Sequence, residues 1–354
     1  MEPSGLQLNS LLKQVSRSFY LTLRVLPGAV RPQIGLAYLL ARTTDTIADT
    51  DVLPVEQRLE SLALLRGRIL GAHRQPLPFE SLARRQASEG ERALLLQAEE
   101  ALQLLERFSP ADRQRIREVL KIITGGQELD LTRFSGGSES NLISLETEAD
   151  LDDYTYRVAG CVGEFWTHVC RAHLFPSVPL DEAGLIADGI RFGKGLQLVN
   201  ILRDIPRDLR QGRCYLPRVS LAQAGLKPED LLHPGSEVRF RPLYNRWLAD
   251  ARDHLAAGWR YTNTLPRRGC RRIRLACAWP LLLGVGTLQG LATGNVLDPG
   301  ERIKVSRAQV RSVLVRSLVR YPFPGWWRSL FHEAVGSSPL AALSGSAAGH
   351  TPGL

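Results

Sequence analysis

Two segments far apart in the chain carry the same arrangement of acidic side chains. Asp45 and Asp49 enclose Thr46-Ile47-Ala48, and Asp204 and Asp208 enclose Ile205-Pro206-Arg207. On a helix, residues four apart stack on one face, roughly 6 Å apart along the axis. Like charges so placed repel, and a hard divalent cation offsets the repulsion. Mg²⁺ suits the task because it is held by one or two carboxylates together with phosphate oxygens. Arginines accompany both pairs: Arg42 before the first, and Arg203, Arg207, Arg210 and Arg213 around the second. Guanidinium groups grip phosphate oxygens in a complementary way. These residue types predict Mg²⁺-assisted ionisation of a diphosphate.

A lone D-x-x-x-D is usually a solvated helix face. The flanks argue otherwise. Ile34 to Ala41 is a nearly unbroken apolar run leading into the first pair, and Gly195-Leu196-Gln197-Leu198-Val199 precedes the second. The pattern predicts helices that are apolar nearly all round, hence interior. Unpaired carboxylates buried there would be too costly to carry without a use.

The chain resembles the squalene/phytoene synthase family, and within it most resembles bacterial-type squalene synthases. The residues that carry the likeness are Ser16-Arg17-Ser18-Phe19 and Tyr38-x-x-x-Arg42-x-x-Asp45-Thr46-x-x-Asp49. Next come Tyr154-x-x-x-Val158-Ala159-Gly160-x-Val162-Gly163 and Gln197-x-x-Asn200-x-x-Arg203-Asp204-x-x-x-Asp208, then Gly212-Arg213-x-Tyr215-Leu216-Pro217. The resemblance implies an all-α isoprenoid-synthase bundle, a single domain with both aspartate helices facing a central cavity. It implies head-to-head condensation of two farnesyl diphosphates through presqualene diphosphate, then reduction by NADPH to squalene. Asp45, Asp49, Asp204 and Asp208 would hold Mg²⁺. Phe19, Tyr38 and Tyr154 would line the cavity, with Tyr38 and Tyr154 handling protons. Ser16, Arg17, Ser18, Phe19, Arg42, Gln197, Asn200, Arg203 and Arg213 would bind substrate diphosphate. For NADPH the resemblance offers Arg17, Arg42, Arg203, Arg302 and Lys304, because no G-x-G-x-x-G follows a strand.

Three positions depart from the family pattern: Ala48 and Arg207 where acidic residues are frequent, and Pro206, which removes an amide donor inside the second motif and is expected to kink its helix. Competing readings are a phytoene, dehydrosqualene or presqualene diphosphate synthase without the reductive step, a terpene cyclase, and a non-catalytic lipid-binding protein.

Composition narrows the rest. The 354 residues carry a formal charge of +9, mostly from arginine. That charge suits diphosphates or peripheral contact with an anionic membrane for product release. Nucleic-acid binding is not expected, for want of an aromatic platform or a binding motif. The five cysteines show no metal-binding spacing, which predicts reduced thiols and no zinc site. The start of the chain lacks a basic and apolar leader, so a cytoplasmic location is expected. The uncharged stretch 275–297 is broken by Pro280 and several glycines and reads as a core helix rather than a membrane span. Helical periodicity covers 6–24, 32–49, 55–71, 90–107, 111–130, 150–173, 181–210, 240–262, 270–293 and 305–320. Ser109-Pro110 marks a helix start. Residues 1–335 are expected to form the domain, and the Gly/Ala/Ser-rich residues 336–354 a disordered tail.

Overall fold

The computed structural model describes residues 19–301, 303–336 and 339–343. In chain order the helices are α1 (Phe19–Val25), α2 (Arg31–Asp49), α3 (Val55–Leu70), α4 (Glu80–Arg85), α5 (Glu89–Leu96), α6 (Ala98–Glu106) and α7 (Pro110–Arg133). Helix α8 (Glu148–Thr155) runs through a π-helical turn (Tyr156–Gly160) into α9 (Cys161–Leu174). Then follow α10 (Glu182–Arg210), α11 (Arg218–Gln223), α12 (Glu237–Thr264), α13 (Arg271–Thr293), α14 (Arg307–Arg320) and α15 (Pro324–Gly336). Two short strands, β1 (Ile143–Ser144) and β2 (Arg213–Cys214), pair in parallel. The expected all-α class is what the chain adopts.

The helices begin where side chains can satisfy exposed amides. Ser109 Oγ accepts from the Asp112 amide at 3.1 Å with Pro110 in the first turn, as its sequence predicts. Ser306 and Gln309 form a reciprocal capping box on α14.

By contact density the chain divides into two compact units, each assembled from three segments. The first holds residues 1–136, 153–193 and 261–277. Its core is the apolar face of α2 (Leu36, Leu40, Ile47) with Leu62 and Leu65 of α3 and Ile116 and Leu120 of α7. Each such fully buried side chain contributes about 1.5–3 kcal/mol. Glycine sets the closest approach in this unit. A β-carbon at Gly163 would collide with the Gly189 carbonyl, and one at Gly193 with the Ala159 carbonyl. Backbone cannot retreat as a side chain can, so the Val158-Ala159-Gly160-x-Val162-Gly163 block is the packing surface for the first half of α10.

The second unit holds residues 137–152, 194–260 and 278–354. Phe240, Tyr244 and Trp247 of α12 are fully buried in it, and Trp259 stacks on Trp327 with centroids 5.3 Å apart. Part of the expected tail is anchored here. Leu340 is completely buried, and Arg252 donates to the carbonyls of Leu340 (3.0 Å) and Leu343 (2.5 Å). The remaining tail positions, 337–338 and 344–354, lie outside the described residues. Helix α13 is long and apolar enough to cross a membrane, but 61% of its most apolar window is buried, in keeping with a core helix.

Candidate active site

Helix α2 is buried on almost every side. From Gln33 to Asp49, all side chains are buried except Tyr38, Ala41, Arg42, Asp45 and Asp49. Steps of three and four residues put these five on one stripe. The expected helix, apolar nearly all round, leaves one accessible line, and that line carries an aromatic ring, a cation and two carboxylates.

Asp45 is also not unpaired. Gln127 of α7 donates from Nε2 to Asp45 Oδ1 at 2.5 Å. Arg42 Nη1 lies 3.7 Å from Asp45 Oδ2, while its Nη2 bonds Glu91 of α5 at 3.3 Å. The Asp45 side chain keeps 45% of its surface open to solvent while protein crowds the rest of it. That crowding, joined by the charge of Asp49, pushes its pKa up to about 6 against the pull of Arg42 and Gln127. Asp112 on α7 shows the opposite balance. Burial pushes it up, but bonds from His173 (2.8 Å), Gln33 (3.3 Å) and Arg115 (2.9 Å) outweigh burial and hold it below the ordinary carboxylate range. Asp112 is a satisfied structural charge, whereas Asp45 has a surplus of negative charge beside it.

Gln127 was not foreseen in the sequence. Its signal was the break Gly125-Gly126-Gln127 in mid-helix. Gly126 lets α7 come up against Arg157 of the π-turn, where a β-carbon would crowd the Arg157 Cβ at 2.9 Å. The carbonyl oxygen of Gln127 is buried without a hydrogen-bond partner.

The second motif occupies the last turns of α10. Leu198, Val199, Ile201, Leu202, Ile205 and Leu209 are buried, while Gln197, Asn200, Arg203, Asp204 and Asp208 remain accessible. Here the charge is balanced internally. Arg203 grips the adjacent Asp204 with two bonds, Nε–Oδ1 at 2.8 Å and Nη2–Oδ2 at 2.6 Å. Bonding to Asp204 raises the Arg203 pKa against burial, with a further contribution from Asp208. Asp208 and Arg213 line one small recess with Ile201, Ile205 and Leu216. Gly212 makes that recess possible: its φ is +78°, and a β-carbon there would collide with the Gly137–Ser138 backbone.

Helix α10 continues through Pro206 and ends at Arg210. Pro206 has no N–H for the Leu202 carbonyl four residues earlier. The buried Tyr244 hydroxyl of α12 bonds that carbonyl instead, at 3.1 Å. A neighbouring helix thus satisfies the acceptor that proline orphans, within the turn that carries Asp204 and Asp208.

Tyr154 is part-buried at the end of α8, and Lys304 is exposed on the connection between α13 and α14. Ser16, Arg17, Ser18 and Arg302 lie outside the described residues, as does the side chain of Phe19. Among the described residues, no three His, Cys, Asp or Glu side chains cluster to hold a metal ion unaided. The oxygen-only donors nonetheless fit Mg²⁺. Each motif offers two carboxylates, Gln127 adds an unpartnered carbonyl oxygen, and Mg²⁺ completes its shell with water and phosphate oxygens.

Residues 12–309 match the family model described as squalene/phytoene synthase. The chain belongs to the squalene/phytoene synthase family. Among family relatives, it is 32% identical over 244 residues to the bifunctional lycopene cyclase/phytoene synthase of Colletotrichum graminicola, covering 69% of this chain and 39% of that protein. The chain therefore spans about two-fifths of the length of such fungal relatives. It is 29% identical to the presqualene diphosphate synthase of Rhodopseudomonas palustris, covering 84% of this chain and 92% of that one. In fold it is similar to the solved structure of TcSQS with the ligand E5700, at a TM-score of 0.73 and 20% identity, covering 96% of this chain and 98% of that one.

Proposed function

We propose that this family member joins two farnesyl diphosphates head to head and releases presqualene diphosphate. The observation that carries the reading is the α2 stripe, where the accessible line of a buried helix consists of Tyr38, Ala41, Arg42, Asp45 and Asp49. The likeness to a presqualene diphosphate synthase over most of both chains supports the product.

Asp45 and Asp49, with the Gln127 carbonyl, would hold Mg²⁺ at the first stripe, and Asp204 and Asp208 at the second. Bound there, the ion supplies Lewis-acid stabilisation to the departing diphosphate. Arg42 and Arg213 contribute guanidinium donors to phosphate oxygens, and Gln197 and Asn200 contribute amide donors. The C–O bond of one substrate breaks, with its electron pair leaving on diphosphate. The double bond of the second substrate attacks the allylic carbon, and closure of the cyclopropane releases one proton. The aromatic rings of Tyr38 and Tyr154 tolerate the positive charge, and their hydroxyls relay the proton to the departed diphosphate.

Reduction onward to squalene would draw on Arg17, Arg42, Arg203, Arg302 and Lys304 for NADPH. Arg203 is already engaged by Asp204, Arg42 is assigned above to substrate phosphate, and Lys304 stands exposed on a loop. We therefore end the proposed reaction at presqualene diphosphate.

Incubating the purified protein with farnesyl diphosphate and Mg²⁺, with and without NADPH, tests this directly. Presqualene diphosphate in both tubes is the expected result. Squalene that depends on NADPH would restore the reductive step. Turnover of geranylgeranyl diphosphate alone would replace the substrate, and consumption of neither would overturn the reading.

A further inference from the structure

The corner formed by α14 and α15 concentrates apolar surface away from the aspartate motifs. Of the ten large hydrophobic side chains exposed among the described residues, five fall here: Val315, Leu318, Val319, Phe323 and Trp326. Trp326 is 61% exposed while its neighbour Trp327 is 2% exposed. Trp327 is a core residue, stacked on Trp259 and edge-on to Tyr321 at 5.1 Å. Trp326 has no such part in the core; its ring lies 4.9 Å from that of Phe323, which is itself 51% exposed. Apolar clusters of this kind on a polar surface mark a contact face.

The charge of the same segment identifies the occupant. Residues 303–336 hold six lysines and arginines against a single acidic residue, Glu333. Glu333 is engaged by Arg316 at 2.7 Å and Arg320 at 2.8 Å. A tenth of the chain thus carries more than half of its net charge of +9. On α14, Arg307, Arg311 and Arg316 lie within or beside the face that presents Val315, Leu318 and Val319. A second copy docked symmetrically would set this basic face against itself. Aliphatic and aromatic side chains interleaved with arginines fit the headgroup zone of an anionic bilayer, where rings enter the acyl boundary and guanidiniums stay among phosphates.

We infer that the α14–α15 corner is a docking surface for an anionic lipid bilayer, with Phe323 and Trp326 as the inserted anchors. The inference goes beyond the proposed reaction and stands on a different set of residues. At the membrane surface, a long isoprenoid product would leave into acyl chains rather than into water.

The full-length protein should sediment with phosphatidylcholine vesicles that contain phosphatidylglycerol, with a blue shift in tryptophan emission, and not with phosphatidylcholine alone. Replacing both anchors (Phe323→Ser with Trp326→Ser) should weaken that binding more than about tenfold. Arg307→Glu with Arg311→Glu should weaken it while leaving the anchors in place. Circular dichroism and melting confirm that the variants fold, and farnesyl diphosphate turnover without vesicles should match the parent, which separates this inference from the proposed chemistry. Absence of binding to anionic vesicles, equal binding to neutral ones, or equal binding by the anchor variant would overturn it. So would a dimer in sedimentation velocity that the anchor variant abolishes, since the face would then belong to a second copy.

Discussion

The two aspartate motifs are spelled alike and are electrostatically unlike. On α2, Asp45 has a neutral amide at 2.5 Å, a cation no nearer than 3.7 Å and a second carboxylate one turn away, and its pKa rises to about 6. On α10, Asp204 is held bidentately by its own neighbour at 2.8 and 2.6 Å. The first motif is short of positive charge; the second brings its own. Like motifs therefore need not bind a cation equally, and under the proposed chemistry the first would be the stronger claimant for Mg²⁺ before substrate arrives. Their supports differ as well, since Gln127 holds the first motif at the carboxylate while Tyr244 holds the second at the backbone.

The largest test of this contrast is catalytic. Asp45→Asn and Asp204→Asn should each lower farnesyl diphosphate consumption by at least about 100-fold if both stripes act on the reaction. A variant that retains most of the rate would confine the chemistry to the other stripe. The supports come next. Tyr244→Phe leaves the Leu202 carbonyl orphaned beside Pro206 and should cost about 1–3 kcal/mol in urea unfolding. An unchanged midpoint would mean that the turn needs no help from α12.

Smaller effects should separate the motifs by sign. Without Mg²⁺, Asp45→Asn relieves repulsion with Asp49 and should hold or raise the melting temperature. Asp204→Asn strips Arg203 of its partner and should lower stability by about 0–1 kcal/mol, because the pair is partly exposed. Adding Mg²⁺ should raise the melting temperature of the parent more than that of Asp45→Asn.

The last test is a pH dependence. The folded pKa of Asp45, about 6, lies above its ordinary value of 3.8, so the folded state holds this proton more tightly. The stabilisation is full below the unfolded value and is lost as pH rises through the folded one. Metal-free protein should therefore gain stability from Asp45 as pH falls from about 7 towards 4, and Asp45→Asn should remove that component. Melting curves of the two proteins across this range provide the check.

Much of the architecture was legible along the chain. The α2 and α10 motifs sit on the predicted helices, and the helix start expected at Ser109 coincides with a side-chain cap. Helix α15 was missed because Pro324-Gly325 reads as a break, although proline in a first turn starts a helix. The anchoring at Leu340 was hidden for a related reason: a Gly/Ser-rich tail looks unfoldable until a single leucine finds a closed site. Gln127 lies 82 positions from Asp45, and Tyr244 lies 42 from Leu202, so no periodicity could join them.

What the sequence determined by itself was local: helical spacing gathers Tyr38, Arg42, Asp45 and Asp49 on one line, and Gln197, Asn200, Asp204 and Asp208 on another, because 3.6 residues per turn leaves no alternative. Only the tertiary structure decided which line of each helix stays open, which amide or guanidinium reaches each carboxylate, and which hydroxyl repairs the gap at Pro206. Those outcomes depend on neighbours brought together by burial of apolar faces, and a carboxylate's charge state is set by what surrounds it in space rather than by what precedes it in the chain.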